Sequence, residues 1–319
     1  MPVAVKGIHH ITALAGNPQV NLDFYTVVLG LRLVKKTVNF DAPDVYHLYY
    51  GDDTGAPGTI LTFFPFPDAA RGRRGTGEVS AVAFHAPALS TGFWASHLAR
   101  HGVHFEGPLT RFGEECISFD DPDGLRLEIV FAEGGGPPQS VRERSGIPRE
   151  CAIRRIAGVT MDLHDIGRTG DLLSGTLGIR KTGEEGDRSR FTAGGGPSAA
   201  SIDIRIFPGS GRGTQSAGSV HHIAWRTPTG EEQEEWRSLL VDDGLSVTGV
   251  LDRQYFHSIY FREPGGVLFE IATDPPGFAV DESPAGLGSA LKLPDWLEPE
   301  RKRIERILPP LVQGGGASG

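Results

Sequence analysis

Residues 258–272, "SIYFREPGGVLFEIA", align without a gap on residues 116–130, "CISFDDPDGLRLEIV", and upstream residues 218–228, "GSVHHIAWRTP", align as cleanly on 77–87, "GEVSAVAFHAP". Between the blocks of each pair lies an amphipathic stretch, "TGEEQEEWRSLLVDDGL" in the later copy and "STGFWASHLARHGV" in the earlier. The apolar blocks predict strands and the stretch between them a helix. Pro122-Asp123-Gly124 and Pro264-Gly265-Gly266 supply the turns that close the last two strands of each copy. The repeating unit is a strand, a helix and three further strands.

Weaker copies open each half of the chain. "GIHHITAL" (7–14) leads into "GNPQVNLDFYTVVLGL" (16–31), where Asn17 suits a helix N-cap, Pro18 the first helical position and Gly30 the stop. Leu22, Tyr25, Val28 and Leu29 fall on one face of that helix. "AIRRIAGVTMDL" (152–163) precedes "DLLSGTLGI", which ends in the same Leu-Gly-apolar phrase. The expected class is α+β, with four βαβββ modules. Residues 134–150, "GGGPPQSVRERSGIPRE", have no apolar periodicity and read as a linker. The modules then divide into a first domain at 1–135, a linker at 136–150, a second domain at 151–280 and a tail at 281–319. In that tail "DWLEPERKRIERILPPL" (295–311) predicts a short charged helix from Pro299, either a brace on the second domain or a dimer contact. A homo-oligomer stays open. The final "GGGASG" is expected to fray.

Composition narrows the function. The 319 residues are 39% hydrophobic and 22% charged, with a net charge of -9. That balance speaks against nucleic acid or an anionic membrane as partner, since both call for a basic face. No apolar run approaches the roughly 18–20 residues of a membrane span, and "MPVAVKGIHH" has no signal-peptide pattern. Cys116 and Cys151 are the only cysteines, too few for a disulfide framework or a thiolate zinc site, and they point to a reducing cytoplasm.

Across the four modules the matched strand positions hold His9-His10, Ser80-Ala81, Arg154-Arg155 and His221-His222. A requirement of the fold would act on all four, so two histidine pairs in matched places mark a site. Strand neighbours point to opposite faces. Ile223 and Trp225 share a face with His221, whereas His222 shares its face with the small Ala224, matched by Ala83 and Thr12. His10 and His222 are therefore the expected ligands, with His9 and His221 peripheral. Glu270, an acid within an apolar strand, needs a partner or a metal. Its counterpart Glu128 has no histidines beside it and warns of a buried ion pair instead. Thr62 takes the matching place in the first module. Two imidazoles and one carboxylate, with the remaining positions open, form the donor set of non-haem Fe(II) oxygenases. Mn(II) or another divalent ion is an alternative.

The chain at this point resembles the vicinal oxygen chelate superfamily, and within it the hydroquinone-type ring-cleaving dioxygenases. "GIHHIT", "VHHIAW", "RQYFHSIY" (253–260), "FEIATDPPGF" and "LKLPDWLEPER" carry the likeness. The resemblance implies modules paired into two domains, each a curved mixed sheet around a cleft with helices outside. It implies Fe(II) on His10, His222 and Glu270, with His9, Thr12, His221, Arg253 and Tyr260 lining a pocket for a small aromatic diol that reacts with O2. His9 or His221 would then act as general acid and base, Tyr260 as donor and Arg253 as charge stabiliser. Tyr260 aligns with Ser118 and is absent from that histidine-free sister module, whereas Arg253 aligns with Arg111. The segment "GEEGDRSRFTAGGGPSA" (183–199) matches nothing in the likeness. Two rival readings are a glyoxalase-type isomerase or lyase, which would favour a second acidic ligand where Thr62 stands, and a non-catalytic binder of small aromatic drugs.

Overall fold

The structure, a computed structural model, describes residues 4–136, 146–196 and 199–313. Residues 137–145 of the expected linker and the terminal "GGGASG" lie outside them.

The first module comprises β1 (Ile8–Ala15), α1 (Pro18–Asp23), β2 (Arg32–Asn39), β3 (Ala42–Gly51) and β4 (Ile60–Pro65). The second comprises β5 (Glu78–Pro87), α2 (Thr91–Arg100), β6 (Phe105–Arg111), β7 (Glu114–Asp120) and β8 (Arg126–Ala132). The third holds β9 (Arg155–Leu163), α3 (Gly167–Asp171), β10 (Arg180–Glu185), β11 (Arg188–Ala193) and β12 (Ala200–Ile206). The unmatched 183–199 segment is thus largely the β10–β11 hairpin of this module. The fourth holds β13 (Ser219–Thr227), α4 (Gly230–Asp242), β14 (Leu251–Asp252), β15 (Phe256–Arg262) and β16 (Leu268–Pro276). No helix among the described residues is long and apolar enough to cross a membrane.

The local signals act as expected. Asn17 accepts from the backbone N–H groups of Gln19 and Val20, and Gly30 takes φ 69°. After α1 the chain widens into a π-helical turn, Phe24–Val28, and α3 is followed by the matching turn Leu172–Thr176. Both hairpin turns are tied by an acid. Asp121 accepts from the backbone N–H groups of Asp123 and Leu125, and Glu263 from those of Gly265 and Val267.

Two eight-stranded mixed sheets result, in the orders β14-β15-β16-β13-β1-β4-β3-β2 and β10-β11-β12-β9-β5-β8-β7-β6. Each curves into a half-barrel cup. This corrects the expected pairing of neighbours along the chain. The first cup joins modules one and four, the second joins modules two and three, and residues 1–135 and 151–280 each contribute to both. The seams are antiparallel, β1 on β13 and β5 on β9. Trp94 and Leu98 of α2 and Trp236 and Leu240 of α4 are buried, so the outer sheet faces carry the bulky residues and the concave faces are left for sites.

Two further corrections bear on the site. Across the β1–β13 seam the register steps from Ile8↔Trp225 to His10↔Ala224 and from Thr12↔His222 to Ala13↔Val220. His9 and His221 are therefore bulge residues, and strict alternation fails at both pairs. At the other seam the skipped residues are Ser80 and Ala157. The counterpart of His9-His10 in the third module is Ala157-Gly158 and not Arg154-Arg155, because Ile156 and Thr160 match Ile8 and Thr12. The tail also departs from expectation. Its helix α5 (Arg301–Ile307) follows a turn at Glu298–Glu300, and it braces the first module: Ile304 is buried and the Tyr46 hydroxyl donates to the Pro309 carbonyl at 2.9 Å.

Candidate metal centre

β1, β13 and β16 are adjacent in the first cup, and they bring Glu270 together with His10 and His222, which are 212 residues apart in the chain. Glu270 Oε2 lies 2.8 Å from His222 Nε2 and 3.4 Å from His10 Nε2, and the two Nε2 atoms are 3.3 Å apart. All three residues are buried. Among the described residues this is the one group of three or more His, Cys, Asp or Glu with metal-ligand spacing. Burial opposes ionisation of Glu270, but the positive charge of His10 and His222, when they are protonated, holds its carboxyl well below the usual range. Ser258 donates to its other oxygen, Oε1.

The bulges set the orientation of the imidazoles. His9 Nδ1 stands 2.9 Å from His10 Nδ1, and His221 Nδ1 stands 2.7 Å from His222 Nδ1. An imidazole that ligates through Nε2 keeps its proton on Nδ1. Here that proton meets an acceptor supplied by the preceding histidine. Burial, reinforced by the neighbouring ligand histidine, pushes His9 and His221 down to about 3, so both are neutral. With the protons placed there, two Nε2 lone pairs and one carboxylate oxygen face a single buried point, and Glu270 Oε2 has no hydrogen-bond donor. Three lone pairs without a proton between them repel unless a cation joins them, so the donor set fits a divalent metal.

In front of this point is a cavity of about 440 Å³. Thr12, His221, Arg253 and Tyr260 line it, as the resemblance implied. His9 does not: it lies buried behind His10 and against Phe256, their ring centroids 5.2 Å apart. The bulge puts a second imidazole at the back of the first rather than on the wall. Tyr260 packs edge-on to His222, and its hydroxyl accepts from Arg253 Nε at 3.3 Å. Burial, then the Glu270 charge, pushes the phenol up, so it stays protonated. Arg253 also reaches Asp41 at the β2–β3 turn, 3.1 Å away, and does not touch Glu270. Its counterpart Arg111 instead donates from Nη1 to both oxygens of Glu128, at 2.9 and 2.8 Å. Glu128 is thus the buried ion pair its histidine-free module suggested.

Sequence reasoning missed one wall of the cavity. Tyr49 and His47 sit on β3, with the Tyr49 hydroxyl 2.8 Å from His47 Nδ1 and His47 Nε2 2.8 Å from Thr62 Oγ1. Thr62 in turn donates to Thr12 Oγ1 at 2.9 Å. Burial pushes His47 well down, so a neutral ring accepts at one nitrogen and donates at the other. The chain of bonds then runs one way and leaves the Thr12 hydroxyl proton for the cavity. The signal was present: "HLYY" (47–50) matches "SIYF" (258–261), which puts His47 at the place of Ser258 and Tyr49 at that of Tyr260.

The Glyoxalase/Bleomycin resistance protein/Dioxygenase superfamily model matches residues 7–129 and 160–271. A Bacillus subtilis (strain 168) protein with the provisional name ring-cleaving dioxygenase MhqO is 46% identical over 97% of this chain and 98% of its own. Chlorohydroquinone/hydroquinone 1,2-dioxygenase of Sphingobium indicum is 36% identical over 97% of both chains. The crystal structure of a Bacillus subtilis protein provisionally named a dioxygenase matches with a TM-score of 0.92 at 45% identity, covering 98% of this chain and 99% of that one. Glyoxalase I from Zea mays shares the fold alone, with a TM-score of 0.63 at 13% identity over 84% of this chain and 92% of its own. On the matched modules and the full-length relatives, this chain belongs to the glyoxalase/bleomycin resistance protein/dioxygenase superfamily.

Proposed function

We propose that the chain is a ring-cleaving dioxygenase that opens a hydroquinone-type 1,4-diol with O2, with His10, His222 and Glu270 holding Fe(II), or Mn(II) or another divalent ion in its place. The observation that carries this reading is the convergence of two Nε2 atoms and one carboxylate oxygen on a buried point at the floor of a cavity. The names of the full-length relatives support the reaction class. His10, His222 and Glu270 would hold a ferrous ion, which would supply the redox chemistry that couples a diol to O2, a reaction that is spin-forbidden without it.

The chain's own residues hold, orient and donate. Tyr260 accepts from Arg253, so its O–H proton is left for a substrate oxygen, and the Arg253 guanidinium steadies the negative charge that develops there. His221 uses its Nδ1 lone pair for His222 and faces the cavity with Nε2–H. It acts as a hydrogen-bond donor, which is half of the acid and base role expected of it. His9 acts through His10, by fixing its ring. Thr12 offers a hydroxyl proton from the opposite wall, and Phe64 and Leu268 keep the ring dry. Two free thiols, Cys116 and Cys151, suit the cytoplasm.

Anaerobic loading with Fe(II), addition of methylhydroquinone and then of oxygenated buffer tests the proposal in an oxygen electrode. The expected result is one O2 consumed per ring opened. No uptake across a panel of hydroquinones and catechols, with iron bound, overturns it. Turnover of a hemithioacetal instead would favour the isomerase reading, against which stands the neutral Thr62, already bonded to Thr12 and His47.

A further inference from the structure

The second cup has a cavity of its own, about 570 Å³, in the place that corresponds to the first. The strand registers match the two walls position by position. His222 and His10 become Ala81 and Gly158, which clears the floor. His47 becomes Arg188, Phe64 becomes Arg205 and Leu268 becomes Arg126. An aromatic and apolar wall has become a guanidinium wall in a chain of net charge -9.

Most of these guanidiniums are committed. Arg111 holds Glu128, Arg205 holds Asp162 in two bonds, and Arg126 lies 2.7 Å from Asp120. Two are not. Arg188 donates from Nη1 to Thr160 Oγ1 at 3.2 Å, and the nearest oxygen of Asp203 is 3.9 Å away, because Arg190 takes both oxygens of that acid. Arg74 donates only to the backbone carbonyls of Ser80 and Gly124. Both line the cavity. Burial, together with the Arg111 and Arg205 charges, works against the Arg188 cation, which an anion beside it would relieve.

We propose that the second cup is a binding site for a small organic carboxylate, held by the guanidinium groups of Arg188 and Arg74. A planar fork of N–H donors matches a carboxylate in two bonds. The rim residues Leu109 and Phe207 offer a place for an apolar body. The fixed acids Glu128 and Asp162 disfavour a dianion such as phosphate. The proposal does not depend on the chemistry of the first cup.

Calorimetric titration of the full-length metal-loaded protein with benzoate is the test, with benzamide as the neutral isostere. The expected result is one saturable benzoate site per chain, at least tenfold weaker in Arg188→Gln and in Arg74→Gln, weak for benzamide and unchanged in His222→Ala. Ring cleavage without benzoate should be the same in Arg188→Gln as in the parent. Absence of saturable binding, equal binding by both arginine variants, loss of binding in His222→Ala, or tighter binding of inorganic phosphate would each overturn the assignment. Two variants in separate parts of the fold, Arg188 on β11 and Arg74 in the segment between β4 and β5, guard against a single folding failure, and a melting curve for each identifies one.

Discussion

The two cups are one scaffold filled in two ways. Both place a glutamate at the same register position on the strand parallel to the seam, Glu270 beside Ala224 and Glu128 beside Ala83. In the first cup two imidazoles meet it and an aromatic cavity opens above. In the second an arginine meets it and donates to both carboxylate oxygens. The contrast teaches that a buried acid at this position is tolerated by either of two counter-charges, and residues one or two strands away decide which. The second cup cannot be reverted by one change, since a Cβ at Gly158 would lie 2.1 Å from the Ser201 carbonyl oxygen.

The largest way to break the contrast is to remove a donor from the first cup. Glu270→Gln is expected to lose bound metal and at least about a thousandfold in turnover, because the ion supplies several kcal/mol of the chemistry. Glu128→Gln should leave metal content and turnover as they were, measured by metal analysis and oxygen uptake. Tyr260→Phe removes a donor and not a ligand, so metal content holds while turnover falls about a hundredfold. In the second cup the matching loss is stability. Arg111→Met strands the Glu128 charge at a cost of about 3 kcal/mol, and the double change Arg111→Met with Glu128→Leu recovers most of it, as urea denaturation would read. A smaller difference concerns the hairpin turn of the second module. Burial raises Asp121 to about 6 from an ordinary 3.8, against the Leu125 N–H bond that lowers it. Its folded value lies above its unfolded one, so its contribution is full at low pH and is lost as pH rises towards and through 6. Compared at pH 4 and 7, Asp121→Asn should lose less stability on that rise than the parent.

How much of this was legible follows the range of the forces involved. The modules could be read because hairpin turns, helix caps and alternation are local, and the gapless blocks repeat them. The candidate ligands could be read because Ser80 and Ala81 stand where a fold requirement would have shown itself. The pairing of modules could not, since either partner satisfies the pattern within a module and the choice lies in the seam between distant strands. The bulges at His9 and His221 were equally hidden, because one extra residue leaves no mark on alternation until its partner strand is known. For the same reason Arg154-Arg155 took a place that belongs to Ala157-Gly158. His47 escaped because its match to Ser258 shares no chemistry, only a position.

The seam between β1 and β13 has a consequence for biosynthesis. The second cup is contiguous in the chain and can close while the ribosome is still at work, whereas β1 must wait, one edge bare, for a strand made some two hundred residues later. The first cup is consequently the later of the two to be completed, and only the tail that braces it follows. A nascent chain that stalls before Glu270 carries a finished arginine-lined cup and only two members of the His10, His222 and Glu270 group.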